Sequence, residues 1–409
     1  MLARVGSYIF SLLVLFTQAS CSDAVSGHVV KPDAPEKGDT ARRTLLVYMM
    51  AENSLSDYAA LDVAEIVEAV PEIPEDCRLF VYVDDRSFPM LTQYFGMTDG
   101  SVGNSNYHPF DSDVCSSDTA ALGKVIDFIL ADYPTENLDI VMWSHADGWL
   151  RSPLNVALQR SVGIDNGNNS YSNTITETIE IEELAALLKR LPTKVGRLMF
   201  DACFMQCVES SYALRDAAEW IIASPAEIPG DGADYASLLP AFFASDGPEE
   251  IIDVYVKAYE GEPAGAVLSA VDTKKMQNLA DITYAYVIKY FNIEKKRAYA
   301  DVFSYLPGGK YTGSVTYPSY FDMNAVMRKY LTAEEYAHWR EAYDKAVVYV
   351  DSSPRWYSAI CGSVIGYDMS VCGGMSLYMP QNNVRNEKFN SDFKTTEWYS
   401  AAGWQVAGW

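Results

Sequence analysis

The chain has 409 residues, 49% of them hydrophobic and 21% charged, which reads as globular with ample core for one large domain or two. Its 55 acidic and 31 basic residues leave a formal net charge of −24, which argues against a nucleic-acid partner and suits cationic substrates. Solubility accounts for most of that charge.

The first stretch reads as an export signal. Arg4 is a positive start, and the apolar run Tyr8-Ile-Phe-Ser-Leu-Leu-Val-Leu-Phe16 is too short to span a bilayer. Gln18-Ala-Ser-Cys21 follows, with small residues before a cysteine as at a lipoprotein cleavage site. Residues 1–21 are therefore expected to be a signal peptide ending at a lipidated Cys21, with a plain secreted form and a retained anchor as alternatives. Residues 22–43 hold Pro32, Pro35 and Gly38 without apolar periodicity and read as a linker.

Thr44-Leu-Leu-Val-Tyr-Met-Met50 is a near-continuous apolar run, hence a central strand. Helical spacing over Asp57 to Val70 ends at Pro71 and Pro74, and Leu79-Phe-Val-Tyr-Val83 is the next strand. Met97 to Ser117 is rich in Gly, Asn, Ser and Asp and reads as a long surface loop. Leu122, Val125, Ile126, Ile129, Leu130 and Tyr133 mark an amphipathic helix. A strand with a polar tip follows, Leu138-Asp-Ile-Val-Met-Trp-Ser-His145. Val162-Gly-Ile164 is a short strand inside a polar stretch, and Ile181 to Leu191 carries a helical stripe. Leu198-Met-Phe200 and Trp220-Ile-Ile-Ala223 are two more strands.

Alternation of this kind predicts an α/β fold, a mostly parallel central sheet with helices on both faces. The pattern loosens after Pro240. Ala266 to Val271 reads as a strand, Lys274 to Phe291 and Ala333 to Val350 as helices, and Cys361 to Met379 as antiparallel strands. The expected division is an α/β domain over residues 44–245 and a C-terminal α+β region over 246–409 packed on it.

Cys203 falls where the strand ending in Asp201-Ala202 meets a predicted helix running through Arg215. A thiol at a helix start meets the positive end of the helix dipole, which favours the nucleophilic thiolate. In a parallel sheet, His145 and Cys203 would share the carboxyl edge, where open α/β sheets place ligands.

These two stretches resemble the clostripain family of cysteine peptidases, whose pattern is a strand ending in His-Gly and then a strand ending in Asp-Ala-Cys. Asp201-Ala202-Cys203, Met205, Glu209, and His145 with Gly148 and Trp149 match it. Ala223-Ser-Pro-Ala-Glu227, Pro229-Gly-Asp231-Gly232 and Gly373-Gly-Met-Ser-Leu-Tyr-Met-Pro380 add support. The resemblance implies a caspase-like sheet and an endopeptidase cutting after Arg or Lys. Cys203 would be the nucleophile and His145 its proton carrier, with an oxyanion site at Ala146, Asp147, Gly148 and Cys203. It places Asp201 at the floor of an acidic specificity pocket; Asp231 is the expected second wall, with Asp234 as its competitor.

Ala146 stands where the family has Gly. If that position needs positive φ, alanine is strained by about 1 kcal/mol or more, and the chain would be an inactive surface protein that binds peptides. His108 lies in a loop, His28 in the linker and His338 in a helix, which leaves them weak rivals to His145.

No G-x-S-x-G, H-E-x-x-H or P-loop pattern is present. Asp165-Asn-Gly-Asn-Asn169 is oxygen-rich but lacks EF-hand spacing; no cofactor or metal is required by the sequence, and the resemblance leaves calcium open. Cys361 and Cys372 are either a bridge across a hairpin or two buried thiols, and Cys207 is a packing residue. Partners are peptides or proteins with exposed Arg or Lys, with any membrane contact made through the lipid anchor alone. The oligomeric state is left open. Family members are commonly cut between the His and Cys strands, and Arg160 is the expected self-cleavage point, ahead of Arg151 and Lys189.

Overall fold

All eight residues of Arg43–Met50 are buried. A run covered on both faces is what a parallel sheet requires. The computed structural model describes residues 37–409, except for 88, 151–161, 168–176, 296, 307–310, 313–314 and 367–371. Cys21, the linker up to residue 36, Arg151 and Arg160 lie outside the described residues.

In chain order the strands are β1 (Arg43–Met50), β2 (Cys77–Asp84), β3 (Met90–Gly96), β4 (Val102–Tyr107) and β5 (Leu138–Trp143). Then come β6 (Val162–Asp165), β7 (Glu177–Ile179), β8 (Val195–Asp201), β9 (Ala218–Ala223) and β10 (Val267–Asp272). The helices are α1 (Ser56–Ala69), α2 (Thr119–Asp132), α3 (Ile181–Leu188), α4 (Val208–Ala213) and α5 (Tyr235–Ala244). After them come α6 (Glu249–Ala258), α7 (Met276–Tyr290), α8 (Met323–Tyr330) and α9 (Ala333–Ala346). Later short pieces are named by their residues.

One nine-stranded sheet organises them. Its centre is parallel, in the order β2-β1-β5-β8-β9. β3 and β4 extend one edge antiparallel, and β10 and Val347–Ser352 extend the other. The C-terminal part of the chain thus returns two strands to the same sheet.

Side chains alternate between two cores. Leu46, Tyr48 and Met50 pack with Leu122 of α2, Leu184 of α3, Leu279 of α7 and Trp339 of α9. Leu45, Val47 and Met49 pack with Ala59 and Ile66 of α1, Leu238 of α5 and Ile251 of α6. This two-residue period places helices on both faces, as the sequence predicts.

Three expectations need correction. The stretch 97–117 is not all loop: Val102–Tyr107 pairs with β3 as an edge strand whose Gly, Asn and Ser residues disguise it. The helix expected over Ala333 to Val350 stops at Ala346, where the β-branched run Val347–Ser352 pairs with β10. The helix after the Cys203 strand begins only at Val208.

Candidate active site

The five parallel strands end at one edge of the sheet, and connections leave in opposite directions from β1 to β2 and from β5 onward. Such a switch point opens a crevice between β1 and β5. A cleft of about 490 Å³ lies there, lined by Ser54 after β1, His145 after β5, Asp201 at the end of β8 with Cys203 beyond it, and Glu227 after β9. The expected pairing of His145 and Cys203 at neighbouring strand tips is therefore what the structure places there.

Cys203 is half-buried. It is not at a helix start: four residues separate it from α4, whose N-cap is Cys207. Loss of solvation, reinforced by the Glu227 carboxylate, pushes its thiol up to about 12, while an N–H from Ile228 at 3.4 Å acts the other way. The expected help of a helix dipole to the thiolate is therefore absent. The loop carrying it is rigidly held. Phe204 N–H donates to Ala226 O at 2.9 Å, and Gln206 N–H to Ser224 O at 2.9 Å. From behind, Ser376 N–H donates to Gln206 O at 2.9 Å and Tyr378 N–H to Glu209 Oε1 at 2.8 Å. Phe204 is the one non-glycine with positive φ (60°) among the described residues, and its ring stacks on Tyr320.

His145 Nε2 lies 2.8 Å from Ser54 Oγ. Its carbonyl accepts from Gly163 N–H at 3.0 Å, and Ala146 bridges Val162. Ala146 is buried and does not have positive φ, so the feared backbone strain is absent. The glycine that the turn does need is Gly148, at φ +68°, where a Cβ would stand 2.8 Å from Phe204 O. Asp147 is buried, and its carbonyl accepts from the Tyr320 hydroxyl at 2.8 Å.

Asp201 lines the cleft and is buried. It accepts from Ala233 N–H and from the hydroxyls of Tyr235 and Tyr255, each at 3.1 Å. These neutral donors only partly oppose the desolvation that raises its pKa. Asp62 lies near, accepting from Trp143 Nε1 at 2.7 Å; burial first, then Asp201, raises it to about 8. Asp231, the expected second wall, is exposed and outside the cleft lining, between Gly230 and Gly232, which do line it. Asp234 instead caps α5.

Sequence reasoning missed several groups. Glu227 holds the turn after Arg355–Ser358, accepting from Ser358 Oγ and from Ile360 N–H at 3.1 Å. Ala359, Ile360 and Tyr317 complete the cleft from the C-terminal part of the chain. Ser54 had only its place after a strand as a signal. Of the rival histidines, His108 is exposed and His338 meets the Tyr286 hydroxyl at 3.0 Å, neither on the cleft. No disulfide joins Cys361 and Cys372, and Cys207 is a fully buried packing residue, as expected of it. Among the described residues no helix is long and apolar enough to cross a membrane.

A family model described as the clostripain family matches residues 47–409. No curated protein matches the chain. Three solved structures are similar to it. A secreted C11 cysteine protease from Bacteroides thetaiotaomicron, bound to an irreversible peptide inhibitor, shares 26% identity, covering 89% of this chain and 99% of its own, with a TM-score of 0.74. An inactive zymogen C11 protease from Parabacteroides distasonis shares 25% over 89% of this chain and 99% of its own, with a TM-score of 0.73. A second secreted C11 cysteine protease from Bacteroides thetaiotaomicron, at 18% identity over 89% of this chain and 100% of its own, supports the fold with a TM-score of 0.70. With the sheet, the strand-tip cleft and nearly the whole length in agreement, the chain belongs to the clostripain family and is a cysteine endopeptidase.

Proposed function

We propose that Cys203 and His145 form the catalytic dyad of an exported endopeptidase that cuts after Arg or Lys. The observation that carries this reading is the cleft that joins both side chains to a buried Asp201 whose three hydrogen-bond donors are all neutral. A buried carboxylate lacks only a cationic partner, and a substrate guanidinium or ammonium supplies one. Asp201 is the floor of this pocket, and Asp231 meets the cation at its rim.

In the reaction, Cys203 Sγ gives up its proton towards His145 as it attacks the scissile carbonyl carbon. The carbonyl oxygen gains the negative charge, which backbone N–H groups of Cys203 and of the Ala146, Asp147 and Gly148 turn receive. The C–N bond breaks as His145 protonates the leaving amine, and water then hydrolyses the thioester. Ser54 orients the imidazole through its contact with Nε2.

One of the similar proteins is an inactive zymogen, which supports a resting precursor here. We assign activation to self-cleavage after Arg160, which lies outside the described residues. The chain just beyond that point is tied to the site: Val162 bridges Ala146 and Gly163 donates to His145 O. Lys189 is a poorer cleavage point, since it caps α3 in helical conformation and pairs with Asp216 at 3.5 Å. Export follows the secreted relatives, with Cys21 as the lipid anchor.

The test is hydrolysis of fluorogenic peptides ending in Arg, Lys, Leu or Asp. Wild type should cleave the first two, Cys203→Ala none, and Asp201→Asn should lose about 100-fold on both while its thiol stays alkylatable. Equal turnover of Leu and Asp peptides by the wild type contradicts the acidic pocket.

A further inference from the structure

We propose that Ile360, on a turn held in place by Glu227, shapes a subsite for an apolar side chain on the substrate residue just before the cleaved one. The inference rests on the Cys203–His145 reading of the cleft and not on which residue is cleaved. Glu227, Ile228, Ala359 and Ile360 all line the cleft that holds Cys203. Glu227 is buried, and both its oxygens are engaged: Oε2 accepts from Ser358 Oγ, and Oε1 from Ile360 N–H at 3.1 Å. Its carboxylate is therefore spent on the turn. The other three side chains are apolar, with Ala359 exposed and Ile360 half-buried, so they stand open to a ligand.

The turn belongs to a hairpin from the C-terminal part of the chain. Arg355–Ser358 pairs antiparallel with Ser363–Gly366. Its inward side chains anchor it: Trp356 is buried against the rings of Phe303 and Tyr305, and Ser358 is buried beside Glu227. Tyr357 N–H donates to Ala264 O at 2.7 Å. At the tip, Ser358 Oγ accepts from Cys361 N–H at 3.0 Å while donating to Glu227. Gly362, at φ +60°, donates to Ala359 O at 3.2 Å and closes the turn. The hairpin is thus fixed at its base by packing, and Glu227 alone among these contacts ties its tip to the cleft. Hydrogen bonds to a carboxylate are the stronger kind, which suits that task.

The path of the chain decides which substrate residue Ile360 meets. Residues 227–233 run from the Glu227 clamp to the cation pocket, where Ala233 N–H donates to Asp201. Ile228, Pro229, Gly230 and Gly232 line the cleft along the way. His145, which serves the leaving amine, is held from elsewhere, by Ser54 and Gly163. The acyl half of the substrate therefore follows residues 227–233. With the cleaved residue at Asp201, the residue before it lies towards Glu227 and Ile360. Ile360 is the specificity residue that touches substrate, and Glu227 is a positioning residue that acts through it.

The experiment uses full-length, matured enzyme and fluorogenic peptides in which Leu, Gly or Glu precedes the cleaved residue. The cleaved residue is kept as whichever one the wild type accepts best, so failure of the Arg or Lys reading is seen separately and does not decide this test. Wild type should favour Leu over Gly and over Glu by about tenfold in kcat/KM. Ile360→Ala, at a half-buried position, should lower the Leu-over-Gly ratio at least about threefold. Glu227→Ala should lose about tenfold on the Leu peptide, mainly through KM, and less on the Gly peptide. Glu227→Gln, whose amide oxygen still accepts, should stay within about threefold of wild type. Equal turnover of the three peptides by wild type overturns the proposal, as does an unchanged Leu-over-Gly ratio in Ile360→Ala. An equal loss on every peptide in Glu227→Ala overturns the positioning role, since a merely structural residue would act that way.

Discussion

Ser54 Oγ lies 2.8 Å from His145 Nε2, a contact across the crevice between the tips of β1 and β5. The hydroxyl fixes the ring while the strands fix its backbone. Ser54→Ala should keep the fold and lower kcat/KM about tenfold, the size of one hydrogen bond to a charged group. Because Ser54 acts through His145, the loss should fall on kcat, and the pH profile of the remaining activity should move. An unchanged pH profile with KM alone affected would place Ser54 in substrate binding instead.

The turn after His145 separates two small residues that look interchangeable in sequence. Ala146→Gly should change activity less than about threefold and cost about 0.5–1 kcal/mol of stability, since Ala146 has no positive φ to relieve. Gly148→Ala should be severe, because φ is +68° and the new Cβ meets Phe204 O at 2.8 Å. Activity assays and melting curves of the two variants compare them directly. A large gain from Ala146→Gly would show that alanine impairs the site.

Much of this was legible in the sequence. Apolar runs mark the parallel strands because both their faces are covered, and the polar tips Ser144-His145 and Asp201-Ala202-Cys203 stand out against them. What was hidden depends on partners far along the chain. Val102–Tyr107 is a strand only through its ladder to β3. The helix start after Cys203 was misplaced because Phe204 takes positive φ and residues 203–206 pair with 224–228, interrupting the helix.

Glu209 makes stability depend on pH. Burial raises its carboxyl from the ordinary 4.5 to about 7, while the Tyr378 N–H opposes the shift. The folded state then holds this proton longer than the unfolded state does. Its contribution is fully present below pH 4.5 and is lost as pH rises through about 7, a loss of about 3 kcal/mol. Urea unfolding between pH 4 and 8 should show this slope in wild type, and Glu209→Gln should flatten it. An equal slope in the variant assigns the effect to another group.

Maturation gives a covalent signature. Wild type should separate under denaturing conditions into two chains, the second beginning at Ser161. Arg160→Ala should stay single-chain and poorly active, and Cys203→Ala should stay uncut. A cut that persists in purified Cys203→Ala would assign the processing to another protease.

The most direct measurement is the site of covalent labelling by an irreversible peptide inhibitor with Arg at the position before the reactive ketone, mapped by peptide mass spectrometry. Label on Cys203 alone, slowed at least about 100-fold by His145→Ala and by Asp201→Asn, is the expected result. Label on Cys207 or another thiol, or equal labelling by an inhibitor with Leu in place of Arg, would contradict a Cys203–His145 dyad beside an acidic pocket.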